Sequence, residues 1–272
     1  MTLLQSILLG ILQGLTEFIP ISSSAHLALL PYFFNWQVSP EIDFIYNVLV
    51  QFATLGAVFA YYWQDLWNIF QSILHNLRKG ASWQNPDIQL ALALVVGTLP
   101  VVVIGYPLKD LVEQAFNQPL WVGAALLITS LLLFLSEQRF KNNPQSQPLT
   151  LTDALVIGLW QTLAIFPGIS RSGATIAGGI FRNLDRQQAT RFSFLLSIPA
   201  LTGAGVVSLL DLIRLPNFTQ FLPVILPGCL VALIVGYFSI YWLVRYVQNH
   251  PLYIFSSYCL ILGIIVILSV IL

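Results

Sequence analysis

Residues 9–26, LGILQGLTEFIPISSSAH, and residues 157–174, IGLWQTLAIFPGISRSGA, write one pattern twice at an offset of 148. Gly10, Gln13, Leu15, Phe18, Ile21, Ser22 and Ser24 align without a gap on Gly158, Gln161, Leu163, Phe166, Ile169, Ser170 and Ser172. In each copy an apolar run is cut by proline and closed by serines. The chain around them is 57% hydrophobic and 8% charged, against roughly 25% charge in globular domains. With a mean hydropathy of +0.81 it reads as an integral membrane protein. A helix needs about 20 apolar residues to cross a bilayer, and Pro20 and Pro167-Gly168 interrupt both runs too early. Backbone freed by such a break is tolerated at membrane depth only inside protein or beside a water-filled cavity. The segments at roughly 5–32 and 153–182 therefore read as re-entrant helix–loop–helix pairs with their loops turned inward.

Six uninterrupted apolar stretches, at roughly 43–63, 88–106, 119–136, 190–210, 221–245 and 252–271, are long enough to span. The repeat continues beyond the motifs. Phe44 and Thr54 fall on Phe192 and Thr202, and Pro119-Leu120-Trp121 resembles Pro251-Leu252-Tyr253. The expected fold is one all-α membrane domain over 1–272, made of a first repeat at 1–140 and a second at 150–272. Each repeat has one re-entrant pair and three spans. Three is odd, so the second repeat is inverted and the two loops approach from opposite faces. Arg78, Lys79, Arg139, Lys141, Arg182, Arg186, Arg191 and Arg245 gather on one face, while Lys109 and Arg214 fall on the other. The first face is then cytoplasmic, with both termini outside. Residues 65–79 suit an interfacial helix. The N-terminus has no basic region or small-residue cleavage site before its apolar run, so it is expected to be retained. Cys229 and Cys259 lie in apolar runs without metal-ligand spacing.

With loop and interfacial charges set aside, Glu17, His26 and Arg171 are the ionisable residues left at membrane depth. Charges there are costly and mark function by default. A buried ion pair pinning the repeats together is the plain alternative, but it does not account for the hydroxyl clusters beside each charge. In FPGISRSGAT, Gly168 and Gly173 let the backbone curl, and a helix start with Arg171, Ser170, Ser172 and Thr175 makes an anion receptor. The planar guanidinium can grip two phosphate oxygens. Gln13 and Glu17, four apart, share a helix face and could present oxygens to a hard cation such as Mg²⁺ or Ca²⁺. Ser22 adds a hydroxyl for phosphate, and His26 follows the serines closely enough to activate one of them, such as Ser23, or a water, or to protonate a leaving oxygen. Charge neutralisation, a nucleophile and an acid–base group together suit phosphoryl transfer.

QGLTEFIPISSSAH and FPGISRSGAT resemble the two signature motifs of the bacterial undecaprenyl-diphosphatase family, also called bacitracin resistance proteins. The resemblance covers the chain in length, segment order and both motifs. It implies removal of the terminal phosphate from undecaprenyl diphosphate, dependence on a divalent cation, and an active site opening to the outer side of the bacterial plasma membrane. The monophosphate carrier so regenerated serves cell-wall synthesis, and bacitracin resistance follows from the same activity. The family's acidic motif falls on Gln13 and Glu17, its serine on Ser23, its histidine on His26, and its phosphate loop on Ser170, Arg171 and Ser172, with Thr175 after them. Gln13 stands where many members have Glu, and Ser24-Ala25 where Thr-Gly is usual, so Glu17 carries most of any cation site.

The expected partners are the bilayer and a polyprenyl diphosphate lipid. No nucleic acid is expected, and monomer or homodimer is left open. The rival reading is a lipid-carrier flippase or anion transporter without hydrolysis, because inverted repeats with broken helices are common in transporters. Transport needs a binding site but no nucleophile beside an acid–base residue, so phosphate release from detergent-purified protein separates the two. A purely structural membrane subunit would leave the buried charges unexplained.

Overall fold

The computed structural model describes residues 1–79, 84–108, 118–142, 146–214 and 218–272, which form eleven α-helices and no strand among them. In chain order these are α1 (Leu3–Thr16), α2 (Ser23–Phe33), α3 (Pro40–Tyr61), α4 (Trp63–Lys79), α5 (Pro86–Gly105), α6 (Pro119–Asn142), α7 (Leu151–Leu163), α8 (Arg171–Phe181), α9 (Arg186–Arg214), α10 (Leu222–Asn249) and α11 (Tyr253–Ile271). Lys109 lies outside the described residues.

The duplicated sequence folds as duplicated local structure. Thr2 opens α1 with a capping box to Gln5, and Thr150 opens α7 with one to Asp153, each satisfying two amides that a helix start leaves bare. Helix α1 runs 14 residues and α7 runs 13. At 1.5 Å per residue both are about 20 Å long, short of the roughly 30 Å hydrocarbon core. Ser22 and Ser170 then cap α2 and α8, each 11 residues long, by accepting from the amides of Ala25 and Gly173.

Each short first helix lies against a long helix from the other half of the chain, α1 on α10 and α7 on α5. Both crossings are made by paired glycines. A β-carbon on Gly10 would overlap the Gly228 carbonyl, and one on Gly158 would overlap the Gly97 carbonyl. Such small-residue contacts let backbones approach closely where lipid supplies no drive for helix association. Helix α3 packs on α9 and α10, α6 on α11, and α8 on α6, α7 and α9. Phe18, fully buried in the first break, sits edge-on to Phe194 of α9 with ring centroids 5.4 Å apart.

A helix stands at each of the six expected spans. Four of them, α5, α6, α10 and α11, are long and apolar enough to cross a membrane on their own, which makes this a multi-pass membrane protein. Helix α3 turns by 74° into α4, and the two together also pass as one bent span. Helix α9, which contains Pro199, is not among the four. Exposed Trp63, Trp67, Phe70, Leu74 and Leu77 recur every three or four residues along α4, so it is an amphipathic helix.

Candidate active site

Glu17 is the C-cap of α1 and the first residue of the break, and it collects hydrogen bonds from three directions. Gln13 Nε2, one turn earlier, donates to Oε2 at 3.0 Å. Ser23 Oγ, at the start of α2, donates to the same oxygen at 2.6 Å. Arg171 Nη2, 154 residues away at the start of α8, donates to Oε1 at 3.1 Å. The carboxylate accepts all three, so the Gln13 amide must turn its nitrogen toward it. That nitrogen also reaches Thr54 Oγ1 of α3 at 3.4 Å.

The two breaks touch one another. The Gly168 amide donates to Ser24 Oγ at 3.3 Å, and Ser172 Oγ donates to the Ile19 carbonyl at 3.5 Å. Two unusual backbone conformations shape the turn. Gly168 has φ +100°, open to glycine, whereas Ser22 has φ 72°, which a residue with a side chain adopts only under local strain. Thr129 of α6 holds the second loop from outside, its Oγ1 donating to the Gly168 carbonyl at 3.1 Å and accepting from the Ser170 amide at 3.0 Å.

Gln13, Glu17, Ser23, Arg171, Ser22, Ser170 and Ser172 are thus drawn into one polar cluster within an apolar molecule. Ser22 pairs with Ser24 at 3.1 Å and Ser170 with Ser172 at 3.1 Å, again the same relation in both copies. Thr175 is turned the other way: its Oγ1 donates to the Arg171 carbonyl at 2.8 Å and lies 2.6 Å from Ser193 Oγ. It braces the first turn of α8. His26 is also placed differently from the sequence expectation. It is 8% exposed, its Nδ1 lies 2.7 Å from the Ser22 carbonyl, and its Nε2 lies 2.7 Å from the Tyr258 hydroxyl of α11. Both ring nitrogens are engaged, while the Ser23 proton points at Glu17.

Two buried atoms of the cluster have no partner, the donor Arg171 Nε and the acceptor Gln13 Oε1. An unpaired buried polar group costs about 1–3 kcal/mol, a cost that a bound ligand removes. The guanidinium otherwise gives Nη2 to Glu17 and Nη1 to the Ser193 carbonyl at 3.3 Å, leaving Nε for an anion oxygen. The Gln13 oxygen and the Glu17 carboxylate fit a hard cation that brings water and phosphate oxygens with it. No group of three or more His, Cys, Asp or Glu could hold a metal alone among the described residues.

Thr54, Thr129, Ser193 and Tyr258 belong to this site and were not singled out as site residues from sequence. Each is an uncharged polar residue on a largely apolar helix; only Thr54 carried a signal, through its place in the repeat. Two further buried carboxylates lie outside it. Glu137, 1% exposed, takes Arg186 Nε at 2.8 Å and the Leu252 amide at 2.9 Å; Asp153 takes Arg182 Nε at 2.7 Å. A cavity of about 500 Å³ borders Glu137, Arg186 and Tyr253 and shares no residue with the cluster. Its carboxylate also accepts three hydrogen bonds, but from one arginine and a backbone amide and from no hydroxyl among the described residues.

The sequence pattern of the family described as bacitracin resistance protein BacA matches residues 6–265. The undecaprenyl-diphosphatase of Corynebacterium striatum is 42% identical over 269 residues, covering 98% of this chain and 94% of the relative. That of Methanosphaera stadtmanae is 38% identical over 280 residues, 99% of each chain. That of Pelodictyon phaeoclathratiforme is 39% identical over 274 residues, 97% of this chain and 95% of the other.

Proposed function

Because the chain belongs to the bacitracin resistance protein BacA family, we propose that it is an undecaprenyl-diphosphate phosphatase, a hydrolase that releases inorganic phosphate and returns the monophosphate carrier to cell-wall synthesis. The observation that carries this reading is the chain Arg171–Glu17–Ser23, at 3.1 and 2.6 Å, which sets an anion-binding cation, a base and a nucleophile side by side. A flippase or anion transporter would need the Arg171 pocket alone, so transport without hydrolysis is not favoured.

The diphosphate head meets Arg171, Ser170 and Ser172 at the start of α8 and Ser22 at the start of α2, where helix amides favour negative charge. Ser23 Oγ attacks the terminal phosphorus as its proton passes to Glu17 Oε2, and the bond to the bridging oxygen breaks, freeing the lipid monophosphate. Water then attacks the phosphoserine, inorganic phosphate leaves, and the proton returns to Ser23. A water activated by Glu17 or His26 and attacking directly gives the same products. His26, three residues after Ser23 on α2, would in its protonated state supply a proton to a departing oxygen. Glu17 and Gln13 would hold the divalent cation, which when bound neutralises phosphate charge.

The inverted six-span repeat with two re-entrant pairs, divided at 1–140 and 150–272, belongs to the same proposal. The reciprocal crossings Gly10–Gly228 and Gly158–Gly97 support it, because each broken helix leans on the other half in the same way. In this arrangement the protein sits in the plasma membrane with both termini and the site mouth outside, and the polyprenyl tail lies between helices.

Phosphate release from undecaprenyl diphosphate by the detergent-purified protein, with and without chelator, is the deciding experiment. Turnover is expected, lost with chelator and restored by Mg²⁺ or Ca²⁺; no release from active, folded protein would overturn the reading. Ser23→Ala separates the two routes. A fall of more than about tenfold, a barrier rise above roughly 1.4 kcal/mol, supports the covalent route, and a smaller one leaves the activated water.

A further inference from the structure

Tyr258 stands outside every motif, yet it is the residue that meets the reactive edge of His26. The Ser22 carbonyl, 2.7 Å from Nδ1, can only accept a hydrogen bond. Nδ1 therefore carries the proton, and in the neutral ring Nε2 is left with its lone pair. The Tyr258 hydroxyl, 2.7 Å from Nε2, donates into that lone pair. The two rings lie nearly parallel, 9° apart, with centroids separated by 5.6 Å. His26 is 8% exposed and Tyr258 42%, so the phenol extends from a buried imidazole to the surface of the protein.

We infer that Tyr258 is a positioning residue for the phosphatase reaction, fixing the rotation of the His26 ring, whose tautomer the Ser22 carbonyl sets, and supporting its Nε2 in both protonation states. The inference rests on the phosphatase reading of the site. A carbonyl on one side and a hydroxyl on the other is an uneven pair. The carbonyl accepts in either state of the ring, whereas a hydroxyl donates to the neutral imidazole and, after rotating about its C–O bond, accepts from the imidazolium. The ring can gain and lose a proton at Nε2 without shifting and without stranding a buried polar atom. Phenylalanine at this position keeps the ring packing and removes both hydrogen-bonding roles. The ring would then be held from the Ser22 side alone, free to rotate at its Nε2 edge.

The test uses Tyr258→Phe in the full-length protein in detergent. The expected result is a kcat about tenfold or more below wild type, with KM for undecaprenyl diphosphate within about twofold, because the substituted group acts through His26 and not on the phosphates. ¹⁵N spectra of histidine-labelled protein give a second reading independent of turnover. Of the signals from His26, His75 and His250, the one removed by His26→Ala is that of His26, and its Nε2 resonance should move in Tyr258→Phe as the hydrogen bond is lost. A kcat within twofold of wild type, or an unmoved Nε2 resonance, overturns the positioning role while leaving the phosphatase reading intact. Absence of phosphate release from wild type would instead bring down that reading, and the spectrum would still report whether Tyr258 holds the ring.

Discussion

Glu17 is a carboxylate at 7% exposure with one formal cation beside it, Arg171, itself 13% exposed. Removing one partner of a buried pair strands the other charge, at a cost of about 3–5 kcal/mol. Arg171→Met should therefore lower both the melting temperature in detergent and activity. Adding Glu17→Gln should recover most of the melting temperature with no return of turnover. Recovery of both would mean that the pair is structural. The plain reading, an ion pair that only pins helices, does describe Glu137 with Arg186 and Asp153 with Arg182, even though Asp153 also accepts from the hydroxyl of its capping Thr150 at 2.6 Å. What sets Glu17 apart is its company: it accepts from Ser23 at 2.6 Å between Gln13 and Arg171, each of which keeps a buried polar atom without a partner. Glu17, Ser23 and Arg171 were legible in the sequence because charges and serines stand out in apolar runs. Ser193, which receives Arg171 through its backbone carbonyl, was not, since a main-chain acceptor has no residue signature.

Repeat and break are properties of elements, and they were the most legible features of the chain. Thr2 and Thr150, Ser22 and Ser170 are capping residues followed by helix-forming runs, and capping is a local bond that sequence spacing can announce. The strain at Ser22 was not legible, because its φ of 72° is imposed by the loop packed against it. Ser22→Gly gives up a side-chain cap worth a few tenths of a kcal/mol relative to glycine and relieves a backbone cost of about 1–3 kcal/mol. It should raise the melting temperature while weakening phosphate binding, read as a higher KM. A lower melting temperature would show that the cap outweighs the strain. The helix crossings make the opposite prediction. Gly10→Val and Gly158→Val must push α1 from α10 and α7 from α5, at a cost of about 1–3 kcal/mol or more. Both should lose stability and activity together, because each crossing positions a loop of the site.

For the molecule as a whole, orientation decides which side the lipid head comes from. Starting from a variant without Cys229 and Cys259, Ser146→Cys should react with a membrane-impermeant thiol reagent only from the cytoplasmic side, and Asn35→Cys only from outside. Both positions lie in connections, after α6 and after α2, and labelling of both from one side would remove the proposed topology. By itself the sequence determined the membrane class, the two broken segments, and the unlike charges carried by the two copies. All of these are written in composition, in periodicity and in neighbours a few residues apart. Only the tertiary structure decided that Arg171 meets a carboxylate 154 residues away, that the Ser23 proton is aimed at Glu17, and that His26 is held by Tyr258. The physical reason is that those contacts are set by how closely α1 and α10, and α5 and α7, can approach. That distance belongs to a pair of backbones meeting at glycines, and neither strip of sequence contains it alone.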